Sequence, residues 1–227
     1  MNKKILAAML SGVGLVFVAE VAQATVIESF DSGAWGAGWI NASSAGTVTS
    51  AAAHGGGYGV NLDGASWTYN TSLSFVPGES LSAWVMPTAG SAGRVYLGFA
   101  ASSTGAESFV GATNTNDIRF QDNPGYGFTE LNTSPQTWTD GQWHLMTVDW
   151  LASGTAVGKL YASDGTTLLD SVSQTGLTGT GTGIALRGFG GWYVDTVSVA
   201  KTVPEPATVA LMGLGLAGLG WARRRKS

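Results

Sequence analysis

Cysteine is absent from all 227 residues. Disulfides, thiol nucleophiles and cysteine-ligated metals are therefore excluded, and an exported domain in this chain has to be held together by core packing. Histidine is nearly absent, with only His54 in a glycine loop and His144 beside Trp143. Neither has neighbours that supply a nucleophile and an orienting acid, so a Ser-His-Asp arrangement has no support. No phosphate-cradling glycine loop and no zinc-ligand spacing occurs. Charge is scarce as well: Asp, Glu, Lys and Arg make up 11% of the chain, and long charged stretches that favour helix are missing. Positive charge is scarcest in the middle. Between Thr25 and Val203, five basic residues (Arg94, Arg119, Lys159, Arg187, Lys201) stand against thirteen acidic ones, a formal charge of −8 where the whole chain has −4. Nucleic acid and anionic membrane are poor partners for such a segment.

What is present is most legible at the two ends. Lys3 and Lys4 precede an apolar stretch from Ile5 to Val18, and Ala22-Gln23-Ala24 follows. A basic start, a short apolar run and a small-residue cleavage site make residues 1–24 a secretory signal peptide, with the mature chain beginning at Thr25. At the other end, Pro204-Glu205-Pro206 cannot continue a strand, because proline fixes φ and lacks the N–H. An uncharged run from Ala207 to Ala222 comes next, and then Arg223, Arg224, Arg225 and Lys226. As a helix, roughly 16 residues cover about 24 Å, short of a ~30 Å hydrocarbon core. That length suits a transient inner-membrane anchor through 207–222 with its basic end on the cytoplasmic side.

Motif, apolar helix and basic tail in this order resemble the PEP-CTERM sorting signal, here residues 203–227. The resemblance implies export by a Gram-negative, exopolysaccharide-producing bacterium. It also implies recognition by an exosortase, cleavage near Pro-Glu-Pro and release to the cell surface or extracellular matrix.

The remaining span, residues 25–202, has the length of one domain. Gly, Ser, Thr and Ala dominate it, and alternating segments bounded by turn residues run through it: 26–30, 59–63, 80–86, 94–100, 142–150, 158–163, 184–189 and 192–200. Leu81, Ala83 and Val85 share one face of a strand, and Val95, Leu97 and Phe99 share one face of another. Asp164-Gly165 signals a two-residue hairpin. Stretches 43–57 and 175–183 read as loops. The expected fold is all-β, an antiparallel β-sandwich flanked by a signal-peptide helix and a C-terminal hydrophobic helix. The pieces Leu81-Ser82-Ala83-Trp84-Val85, Gly141-Gln142-Trp143-His144, Leu160-Tyr161 with Asp164-Gly165, and Trp192-Tyr193-Val194-Asp195 resemble the concanavalin A-like and laminin G-like jelly rolls and their carbohydrate-binding modules.

Strand parity places Asp195 with Tyr193, Val197 and Val199 on what reads as the core face. A buried carboxylate there needs a cation, protonation or hydrogen-bond donors. The resemblance implies a structural Ca²⁺ held between the last and first strands, by Asp195 with Glu28 and Asp31. Calcium takes six to eight oxygen ligands, so backbone carbonyls and water would complete the set. The other reading gives Asp195 backbone N–H partners or a tryptophan indole. Trp84, Trp143 and Trp150 lie within strong strands and read as core. Trp35, Trp39, Tyr58, Tyr126, Trp138 and Trp192 lie in or beside glycine-rich loops, where flat rings suit stacking on sugars. The expected function is thus a non-enzymatic glycan-binding or matrix-structural protein whose partner is an extracellular polysaccharide. The alternative is a polysaccharide-degrading glycoside hydrolase. That chemistry needs two carboxylates flanking the scissile bond, and the Glu-x-Asp-x-x-Glu cluster of such enzymes on this fold is missing.

Overall fold

A computed structural model describes residues 24–41, 46–64 and 66–201. The expected signal-peptide helix and the apolar segment 207–222 lie outside the described residues. Among the described residues, no helix is long and apolar enough to cross a membrane.

The chain forms two antiparallel sheets packed face to face. Its strands are β1 (Thr25–Glu28), β2 (Thr47–Thr49), β3 (Gly59–Asn61), β4 (Thr68–Asn70), β5 (Glu79–Pro87), β6 (Arg94–Ser102), β7 (Gly105–Ala112), β8 (Asp117–Pro124), β9 (Thr129–Pro135), β10 (His144–Trp150), β11 (Ala156–Tyr161), β12 (Leu168–Gln174), β13 (Gly183–Phe189) and β14 (Trp192–Lys201). One sheet has eight strands in the order β12-β11-β10-β5-β14-β3-β2, with β1 also paired to β14; the other has six, β4-β13-β6-β7-β8-β9. The expected all-β sandwich is therefore the observed fold.

Alternation sets the core. Leu81, Ala83 and Val85 of β5 point inward with Met146, Val148 and Trp150 of β10. They meet Val95, Leu97 and Phe99 of β6, Phe109 of β7, and Ile118 and Phe120 of β8. Each of these strands gives one face to the interior, as a period of two requires. Gly158 of β11 lets the sheets close: a Cβ there would sit 2.4 Å from the Phe109 ring.

Three local expectations are corrected. The turn at Asp164-Gly165 is longer than two residues, because the N–H of Ala162 donates to the Thr167 carbonyl and the strands end at Tyr161 and Leu168. Asp164 braces that turn by accepting from the N–H groups of Thr166 and Thr167. The stretch 43–57 is not all loop, since it contains β2 and a 3-10 turn at Ser50–Ala52. Most consequential is a bulge in β14 between Asp195 and Ser198, where Thr196 takes φ +47°. The extra residue puts Val194 and Val197 on the same side, both fully buried in the core. Asp195 and Tyr193 consequently face away from the core.

Candidate functional site

β5 lies in the middle of the eight-stranded sheet, and its outward residues are fixed by the inward trio Leu81, Ala83 and Val85. Trp84 therefore points outward, partly exposed, in register with Asp195 of β14 on one side and Leu145 of β10 on the other. The row continues to Tyr161 of β11. The strand's alternation thus leaves a large aromatic ring on the outward face of a central strand.

The ring is framed by a loop that two carboxylates hold. Asp195 has no exposed surface. Its Oδ2 accepts from the N–H groups of His54 (2.7 Å) and Gly55 (3.0 Å), and its Oδ1 accepts from the N–H of Thr196 (2.6 Å) and from the Thr196 hydroxyl (3.2 Å). Asp31 accepts from the N–H of Gly57 at 2.7 Å. Charge-assisted bonds of this kind are among the strong ones, so the loop 54–57 is built in advance. It carries the His54 ring over Trp84, with centroids 3.8 Å apart and planes 18° from parallel, while Trp143 meets His54 edge-on at 5.0 Å. Partial burial lowers the His54 pKa, against the opposing pull of Asp195, and leaves the imidazole neutral at pH 7. Thr196 at φ +47° and Phe30 at φ +59° stand beside the two carboxylates. A β-branched or bulky residue seldom adopts such angles, and here the strain is stored next to the loop.

The residues expected to stack on sugars are dispersed. Trp35 and Trp39 pack against each other (5.1 Å) and against the core. Trp138 stands edge-on to Trp192 at 5.1 Å. Trp192 is fully buried, so its ring cannot meet a ligand, which corrects its assignment; its parity with Val194 turns it inward. Tyr58 is exposed, and Tyr126 lies on the other sheet. His54, Trp84 and Trp143 were not expected at this site. Trp84 had a signal in the sequence, because placing Leu81, Ala83 and Val85 inside sends residue 84 outside.

The carboxylates expected to share calcium are engaged separately. Glu28 accepts from the N–H groups of Phe30 (2.9 Å) and Gly36 (2.8 Å) and from the Trp39 indole (2.8 Å). Asp195 and Asp31 hold the 54–57 loop. A shared cation needs the three carboxylates to converge, and among the described residues no group of three or more His, Cys, Asp and Glu side chains does so. The three residues do not fit a shared calcium ion, and the alternative of backbone N–H partners describes Asp195.

A family model for the PEP-CTERM protein-sorting motif matches residues 202–226. The chain carries a PEP-CTERM sorting motif. That motif marks an exported protein with a C-terminal sorting signal. A search of curated proteins gives no match. Among solved structures, the carbohydrate-binding module CBM66 from Bacillus subtilis is similar at 11% identity and a TM-score of 0.53, covering 72% of this chain and 96% of the module. Galectin LEC-6 of Caenorhabditis elegans is similar at 12% identity and a TM-score of 0.42, with 58% and 88% covered. The VIP36 exoplasmic/lumenal domain, in its Ca²⁺- and Man3GlcNAc-bound form, gives 12% identity and 0.46, with 65% and 76% covered. At these identities the likeness to CBM66 establishes the jelly-roll fold and nothing finer.

Proposed function

We propose that this PEP-CTERM protein is a non-enzymatic glycan-binding module. It is delivered to the cell surface or exopolysaccharide matrix after processing by an exosortase and transient passage through the inner membrane. The observation that carries the reading is Trp84: a partly exposed indole at the centre of an open sheet face, stacked on a His54 ring that Trp143 meets edge-on. This cluster offers the part of the indole that His54 leaves uncovered to the C–H surfaces of a sugar ring, with Tyr161 and the His54 imidazole near it for hydroxyl groups. Hydrolysis would require two carboxylates set about a bond. The acids of this face are engaged elsewhere: Asp195 by backbone donors, and Asp149 by Lys159 at 2.5 Å. These engagements favour binding over cleavage.

Affinity electrophoresis of the full chain, in mild detergent, through gels containing neutral bacterial polysaccharides tests the reading. Trp84→Ala is expected to weaken binding of the retained glycan at least tenfold, about 1.4 kcal/mol, with no reducing ends released by the wild type. Unchanged retardation of Trp84→Ala, or release of reducing ends by the wild type, would refute it.

A further inference from the structure

The outward face of the six-stranded sheet concentrates positive charge. Across it, Arg187 of β13, Tyr96 of β6, Val110 of β7 and Arg119 of β8 stand side by side in register. The next row is Phe189, Arg94, Ala112 and Asp117. Three of the five cations between Thr25 and Val203 therefore share one face of a segment whose formal charge is −8.

Two of the three are neutralised. Arg94 pairs with Glu130 at 2.7 Å, and Arg119 pairs with both Glu130 and Asp117. Burial alone would raise the Glu130 pKa, but hydrogen bonds from Arg119 and Arg94 hold it at about 2, so it stays ionised and committed to them. Arg187 is different. Among the described residues, no carboxylate lies within ion-pair distance of it. Its guanidinium carbon is 4.7 Å from the Phe128 ring centroid and 5.1 Å from those of Tyr96 and Phe189, and its Nη1 is buried without a hydrogen-bond partner. Packing on rings accounts for where the guanidinium lies, but among the described residues it leaves the charge of this half-buried side chain without a counter-ion. Beside it, Tyr69 and Tyr126 stack at 5.5 Å, and Phe128 is 53% exposed.

We propose that this face is a second binding site, separate from Trp84, for an acidic polysaccharide. Arg187 receives the carboxylate of a uronate residue, and Phe128 with the Tyr69–Tyr126 pair contacts the sugar rings. A planar guanidinium fork matches a carboxylate as no ammonium does. The negative charge of the rest of the domain does not forbid this, because at physiological salt charges farther than about 8 Å are largely screened.

Isothermal titration of the full chain in mild detergent with polygalacturonate and with its carboxyl-reduced polymer tests the proposal. The wild type is expected to bind polygalacturonate at least tenfold more tightly than the reduced polymer, with affinity falling as salt rises. Arg187→Gln is expected to lose that preference, and Trp84→Ala to keep it, so failure here is distinguishable from failure of the neutral-glycan reading. Should Arg187→Gln lose its near-ultraviolet circular dichroism, Arg187→Lys decides, with a weakening of at least threefold for the acidic polymer expected. Absence of binding to polygalacturonate, equal affinity for the two polymers, or a folded Arg187 variant that binds as the wild type does would overturn the proposal.

Discussion

Asp195 shows how one side chain is explained by counting its partners. It is fully buried and accepts four hydrogen bonds, two of them from a loop more than a hundred residues earlier in the chain. Truncating it leaves the N–H groups of His54 and Gly55 without acceptors and releases the loop that positions the His54 ring. Hydrogen bonds to a charged group contribute about 1.5–3 kcal/mol, so Asp195→Ala is expected to cost roughly 2–4 kcal/mol, on the order of 5–15 °C in melting temperature for a domain of this size. Since the carboxylate oxygens already face N–H donors, the wild-type melting temperature is expected to be the same in calcium and in EDTA. Thermal melts of both proteins in both buffers check the two statements together, and a calcium-dependent rise in the wild type would count against this account.

At the scale of elements, the loop between β12 and β13 is tied down by a buried acid. Glu107 of β7 has no exposed surface; its Oε1 accepts from the N–H groups of Thr178 and Gly179 at 2.8 Å each, and its Oε2 has no partner. Burial raises its pKa, and the two N–H donors only partly offset that. A carboxyl whose folded pKa is raised favours the folded state most at low pH, and that contribution is lost as pH rises through the folded value. Glu107→Gln keeps an acceptor for the loop and removes the charge. It is therefore expected to melt no lower than the wild type at pH 7.5, with the difference shrinking by pH 4, whereas Glu107→Ala, which also removes the acceptor, is expected to lose about 2 kcal/mol at pH 4 and less at pH 7.5. Melting curves across that range decide it. Strands of this molecule were legible in the sequence where only one face is buried, as in β5 and β10. β7 is buried along its whole length and β9 is polar and mostly exposed, so neither alternates and neither could be recognised by period. The candidate site was hidden for a related reason. Parity gives direction only while a strand stays regular, and the bulge at Thr196 reversed it for Asp195, while Trp84 was assigned by its size rather than by its parity.

For the whole molecule, the distribution of charge argues for processing at both ends. Six of the eleven basic residues lie in residues 1–24 and 203–227, where they flank apolar runs, and the span between them is left at −8. A basic cluster beside an apolar run orients a segment in a membrane, and the strands of the described residues run from Thr25 to Lys201. We propose that the two ends are instructions for transport, and the expected product is an acidic sandwich that has shed them. Intact-mass measurement of the protein recovered from the medium or matrix of its native host is expected to show a chain beginning at Thr25 and ending near Pro204-Glu205-Pro206, and isoelectric focusing to show it more acidic than the full chain. An extracellular protein that retained Arg223–Lys226 would contradict cleavage of the sorting motif and make residues 203–227 a lasting part of the molecule.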